Sequence, residues 1–161
     1  MTDTDPVRQF LRHTLATLAY RGAKAIRGAP PGFSDFQSRE GARTPGQILA
    51  HIGDLLDWGA TIARGATAWK DTPPADWDAD AARFFRGLEQ LDRILASAEP
   101  LGNSPEKLFQ GPVADALAHV GQIAILRRMA GSPVRGESYF KADIAAGRLG
   151  ADQKPPRFEF D

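Results

Sequence analysis

The chain carries three histidines, His13, His51 and His119, and no cysteine in its 161 residues. Disulfides, thiolate metal sites and cysteine nucleophiles are therefore excluded, and metal chemistry would have to use imidazoles and carboxylates. The richest stretch is Gly111–Gly131. Within it Asp115, His119 and Gln122 are four and three residues apart, so on a helix their side chains share one face. Leu126 and Met129 continue that face, which implies that it turns away from open water. An acid, an imidazole and an amide in such surroundings need partners. His51, Asp115 and His119 together would offer two imidazoles and one carboxylate. That set suits a divalent first-row ion with positions left open for water or substrate. A buried Asp–His hydrogen bond explains the same residues without an ion. The residue types alone leave both readings open.

The elements that would position these residues are helices. Gly111–Gly131 is apolar on most sides of a helical wheel, as in a helix packed among several neighbours. Pro112 suits its first position, and Gly131 followed by Pro133 suits its end. Thr44-Pro45-Gly46-Gln47 combines an N-cap threonine, a proline and a capping-box glutamine. The helix it starts has the core stripe Ile48, Leu49, Ile52, Leu55, Leu56 and Ile62, and it ends near Gly65. Gln47, His51 and Trp58 lie along one flank of that stripe. Trp58 reads either as core packing or as a pocket wall, and Gln122 either as a hydrogen bond to a neighbouring helix or as a group that orients ligands or substrate.

An earlier helix is expected over residues 6 to about 28, with Val7, Phe10, Leu11, Thr14, Leu15 and Leu18 as its stripe. His13 falls opposite that stripe and reads as exposed. Residues 29–43 form a long connection whose Phe33 and Phe36 are unusual in a solvated loop. They either roof a pocket or cover the end of the helical body. Residues 67–77 contain Trp69, Pro73, Pro74 and Trp77. Ten extended residues reach about 33 Å, close to a helix of about 20 residues, so this connection can cross the whole body. Asp76 or Asp78 can cap a third helix carrying Phe84, Phe85, Leu88, Leu91, Ile94 and Leu95. Ser104–Lys107 resembles a short helical turn, and Gly136–Gly147 a short helix with Tyr139, Phe140 and Ile144 on one side. Lys154–Asp161 reads as an extended tail. The expected fold is all-α: four long helices plus a short C-terminal helix and tail, in one domain of residues 1–161, with its core at about 5–131 and an extension at 132–161.

Composition narrows the function classes. Twenty Lys and Arg balance 20 Asp and Glu, and no basic stripe is interleaved with aromatics. That argues against nucleic acid and anionic membrane as partners. No apolar run approaches the roughly 20 residues of a membrane span, and the start, Met1-Thr2-Asp3-Thr4-Asp5, is unlike a signal peptide. A soluble cytoplasmic protein is expected.

Two segments resemble the DinB/YfiT-like superfamily of small helical bundles. One is TPGQILAHIGDLLDW, Thr44 to Trp58, with a histidine early in the second helix and a tryptophan two turns later. The other is DALAHVGQIAILRR, Asp115 to Arg128, similar to the family's fourth-helix segment. The resemblance covers about residues 5–131. It implies a four-helix bundle running up-down-down-up, with the long crossover between helices 2 and 3. It also implies a metal site built from one histidine of the second helix and two of the fourth, four residues apart. His51 and His119 match the first and last of these, and Asp115 stands where the remaining histidine would be. Val120 replaces an arginine common in the family. The implied activity is that of a metal-dependent enzyme acting on a small molecule, as a thiol-dependent transferase or a hydrolase. Nickel, zinc, iron or manganese would be held by His51, Asp115 and His119, with a low-molecular-weight thiol as a further cofactor. Gln122, Trp58 and Gln47 would lie around the metal or line the substrate pocket, and the bundles would pair as homodimers. The rival expectation is a non-catalytic bundle that binds a ligand or partner and keeps a vestigial site.

Overall fold

The computed structural model describes residues 5–160; the acidic start before Asp5 and the final Asp161 of the tail lie outside them. The chain is mostly helical. Helix α1 spans Pro6–Ile26, α2 Pro45–Ala63 and α3 Trp77–Ala96. The last long helical run begins with α4, Pro105–Leu108, passes through a π-helical turn at Phe109–Val113 and continues as α5, Ala114–Met129.

Local sequence explains most of the helix ends. The Asp5 carboxylate caps α1 at the Val7 N–H, and the chain turns away at Gly28, whose φ of 68° favours glycine. The capping box at Thr44 and Gln47 is complete in both directions. Asp76, not Asp78, caps α3 through the Ala79 N–H. Pro112 does not open the final helix. That run already starts at the Ser104 cap and Pro105, and Pro112 falls inside it. A proline there lacks an N–H and crowds the carbonyl four residues back. The wider π turn accommodates both defects.

Helices α1 and α2 each pack against both α3 and α5, around one apolar core that runs in sequence from Leu11 to Leu149. Phe84, Leu18, Leu56 and Ile123 are among its fully buried side chains. Glycines let α2 and α3 approach closely. A Cβ at Gly87 would stand 2.9 Å from Leu56 Cβ, and one at Gly53 would stand 2.8 Å from the Arg83 guanidinium. Down the same seam, Gly59 faces Leu91. Across the other seams, Arg12 meets Asp92, and Gly59 faces Pro112 as well.

The expected stripe of α1 is only partly internal. Leu11, Leu15 and Leu18 are buried, whereas Val7 and Phe10 are exposed near the helix start, before the core closes over. Phe33 is buried, stacks on Phe36 and meets the Trp77 ring edge-on at 5.4 Å. The loop after α1 thus covers the end of the bundle.

Gly136–Gly147 is not a helix. Gly136–Glu137 forms strand β1, which pairs antiparallel with β2, Glu159–Phe160. A single 3-10 turn follows at Tyr139–Lys141. The ladder wins because Glu137 is drawn inward. Its buried carboxylate meets Lys24 Nζ at 2.6 Å and accepts the Tyr20 hydroxyl. Glu159 reaches the same ammonium at 3.2 Å. Tyr139 and Phe140 consequently diverge: Tyr139 packs against the Tyr20 ring and under Arg21, and Phe140 points into solvent. Among the described residues no helix is long and apolar enough to cross a membrane.

Candidate metal centre

Helices α2 and α5 bring His51, Asp115 and His119 together. One nitrogen from each imidazole and one carboxylate oxygen all fall within 4.8 Å of one another. His51 Nε2 lies 3.8 Å from Asp115 Oδ2, and the two imidazole centroids are 4.7 Å apart. His119 Nδ1 lies 3.2 Å from Asp115 Oδ1 and 2.8 Å from the Asp115 backbone carbonyl. A carbonyl only accepts, so Nδ1 is the protonated nitrogen and Nε2 keeps its lone pair. Metal-bound histidines are held in this way, with the second nitrogen donating to a carbonyl or carboxylate.

The three side chains differ in exposure. His119 is buried, His51 half-buried and Asp115 exposed. Burial lowers the His51 pKa, and the charges of His119 and Arg43 lower it further, outweighing Asp115 and Asp54. His51 therefore stays neutral near pH 7, as a ligand must. Ligand atoms bound at about 2.1 Å to one ion stand about 3–4 Å apart. Two imidazoles and a carboxylate within 4.8 Å of one another approach that spacing. The donor set fits a divalent ion.

Gln122 does not join the group. It is exposed, and no hydrogen bond links it to His51, Asp115 or His119. The stripe read from sequence straddles the edge of the bundle. At about 100° per residue, Asp115, Gln122 and Met129 fall on its water side, and His119 and Leu126 on its inner side. Gln47 lies one turn before His51, and its side-chain oxygen is held by the Thr44 N–H at 2.9 Å. Trp58 is half-buried and packs against the core, while one side of it lines a cavity.

The connection from α2 to α3 supplies groups that no sequence motif marks. Trp69 meets His51 and Trp58, each at 5.6 Å between centroids. Asp54, one turn after His51, accepts the Thr72 N–H at 2.9 Å and holds the connection down. Arg83 bridges Asp54 and Asp57 at 2.6 Å each. Burial pushes the Asp54 carboxyl up, but the bonds from Thr72 and Arg83 outweigh it and hold it below the usual range. An acid on an apolar helix face one turn from a candidate ligand was the available signal for Asp54. Trp69, an aromatic residue in a proline-rich connection, was another.

Two cavities flank this connection. One, about 370 Å³, is lined by Trp58, Trp69, Thr61 and Lys70; the other, about 210 Å³, by Arg43, Gln47, His51 and Pro74. Both include Asp54 and Thr72. A larger cavity of about 530 Å³ lies between the ends of α2 and α3, but no histidine lines it. Ligand-bearing chemistry, rather than size, places the candidate site at His51. No protein-family model, curated protein or solved structure matches the chain.

Proposed function

We propose that the chain is a metal-dependent enzyme of the DinB/YfiT-like type, acting on a small molecule as a thiol-dependent transferase or a hydrolase. The observation that carries this reading is the convergence of His51, Asp115 and His119, with His119 Nδ1 anchored on the Asp115 carbonyl so that Nε2 is left for an ion. The cross-helix pairs support the up-down-down-up arrangement. Gly53–Arg83, Leu56–Gly87 and Gly59–Leu91 run in the same order along α2 and α3, whereas His51–His119 and Gly59–Pro112 run in opposite order along α2 and the final helical run.

In this reading His51, Asp115 and His119 hold a divalent ion such as nickel, zinc, iron or manganese. When bound, that ion lowers the pKa of water or a thiol, so that a nucleophile exists near neutral pH. The chain's own residues do the rest. The Asp115 carbonyl fixes the ring of His119. Trp58 and Trp69 wall the adjoining cavity. Asp54 anchors the connection that carries Trp69.

A second reading has its own observation. Asp115 already lies 3.2 Å from His119 and 3.8 Å from His51. That cluster can exist without an ion, in a bundle that binds a ligand or partner and has lost catalysis.

The test is the metal content of tag-free protein, for wild type and for His51→Ala. About one equivalent in wild type, lost in the variant, supports the metal centre; turnover of thiol-transfer and ester or amide substrates is then screened with each metal. No uptake after soaking with nickel, zinc, manganese and iron rejects the metalloenzyme and leaves the hydrogen-bonded cluster.

A further inference from the structure

Arg43 immediately precedes the Thr44 cap of α2. It lines the 210 Å³ cavity together with Gln47 and His51. Its side chain is exposed and makes no hydrogen bond or ion pair among the described residues. The other guanidinium beside the site, Arg83, is already bridged by Asp54 and Asp57. Gln47 has a similar surplus. Its oxygen is occupied by the Thr44 N–H, while its NH2 group has no partner among the described residues. One wall of the cavity thus carries a free planar fork and a free amide donor, and His51 borders the same space.

The acidic residues around the cavity decide which charge it accepts and when. Asp54 is neutralised by Arg83 and the Thr72 N–H. Asp71 accepts the Trp69 indole N–H, a neutral donor, at 3.0 Å. Asp54, Asp57, Asp71 and Asp115 together outnumber Arg43, Arg83 and Lys70 by one. Without an ion the surroundings are negative and favour a cation. A divalent ion at His51, Asp115 and His119 outweighs that excess and makes an anion acceptable beside it.

We propose that Arg43 and Gln47 form an anion-binding subsite that takes the carboxylate of a small organic acid lodged between them and the metal centre. The proposal rests on the metal reading above. A guanidinium fork binds a planar carboxylate through two parallel hydrogen bonds, a match that Lys or a lone amide does not provide. About 210 Å³ admits an acid of a few carbons.

The test titrates succinate into tag-free protein by calorimetry, zinc-loaded and metal-free, for wild type, Arg43→Gln and Arg43→Lys. Zinc is titrated separately into each metal-free protein, and phosphate serves as the competing anion. Zinc uptake is expected to be retained in all three proteins, somewhat tighter in Arg43→Gln, which removes a positive charge beside His51. Succinate is expected to bind zinc-loaded Arg43→Gln about tenfold more weakly, the loss of one charge-assisted contact, with partial recovery in Arg43→Lys. Metal-free wild type should bind succinate more weakly than the loaded form. Normal zinc uptake with succinate binding unchanged in Arg43→Gln overturns the subsite and leaves the metal centre standing. Phosphate displacing succinate at equal concentration overturns the assignment to a carboxylate. If wild type takes up no zinc, the metal reading fails; succinate binding that still depends on Arg43 then upholds an anion site alone, and absence of binding overturns that as well.

Discussion

His119 donates its Nδ1 proton to the backbone carbonyl of Asp115, one turn earlier on the same helix, at 2.8 Å. The bond uses an acceptor that the α-helix already supplies, so it fixes the imidazole at no cost in buried polar groups. It also decides which nitrogen is free. The first expected outcome is therefore spectroscopic. Long-range 15N–1H correlation of metal-free protein at pH 7.5 should show His119 protonated at Nδ1 and bare at Nε2. The opposite tautomer would remove the orientation on which the metal centre depends.

Asp115 is the position where the bundle offers a carboxylate between two imidazoles. Carboxylates suit manganese and magnesium, and imidazoles suit zinc, nickel and copper. Asp115→His should therefore tighten zinc and nickel binding and weaken manganese binding, read as Kd values from competition with a metallochromic dye. Asp115→Ala should weaken all of them. A side chain as exposed as Asp115 can be exchanged without disturbing the core, and unchanged melting curves for the metal-free variants would verify that. An Asp115→Ala protein that binds zinc as tightly as wild type would show that the carboxylate is not a ligand.

What could be read from the sequence follows from the range of each interaction. The Thr44 capping box and the proline after it lie within four residues, and both are present. His51 and His119 each sit beside a core stripe, and core stripes must face one another, so their meeting was legible from two separate helices. Gln122 was not. It shares a wheel face with His119, but the edge of the bundle passes between them, and a wheel does not show where the edge lies. Arg83 reaching Asp54 and Asp57 depends on the register of α3 against α2, which glycines at 53, 59 and 87 set by close approach. The ribbon of Glu137 and Glu159 depends on Lys24, more than a hundred residues away in sequence. Local propensity at Gly136–Gly147 contains no trace of it.

Two glycines in helices make opposite predictions for the same substitution. Alanine in place of a helical glycine gains up to about 1 kcal/mol of backbone preference. At Gly121 nothing lies within 4 Å of the added Cβ, so Gly121→Ala should raise stability by about 0.5–1 kcal/mol. At Gly22 the new Cβ would stand 2.5 Å from Phe84 Cζ and 2.7 Å from Cε1. Phe84 is fully buried, and overpacking of a filled core costs about 1–3 kcal/mol. Gly22→Ala should therefore destabilise despite its better helix propensity. Urea unfolding of both variants checks the pair, and a stabilised Gly22→Ala would mean that α1 and α3 leave room for a Cβ at this crossing.

Asp54 links stability to the site. Its carboxylate joins Arg83 and the Thr72 N–H, at 2.6 Å and 2.9 Å, and hydrogen bonds to a charged group contribute about 1.5–3 kcal/mol each. Asp54→Asn keeps the shape and loses the charge, so a loss of about 2 kcal/mol at pH 7 is expected. The pH dependence has a definite sign. The folded pKa lies below the ordinary carboxyl value, so the unfolded chain binds the proton more readily. The stability from Asp54 is complete above about pH 4, near the unfolded value, and is lost as pH falls through the lower folded value. Wild type and Asp54→Asn should accordingly differ at pH 7 and converge in strong acid. Amide exchange at Thr72 should be faster in the variant at pH 7, since its N–H loses a charged acceptor. Equal acid limbs in the two proteins would show that Asp54 does not carry this bond. Exchange at Thr72 that stayed slow would show that the connection bearing Trp69 is held in place by other contacts.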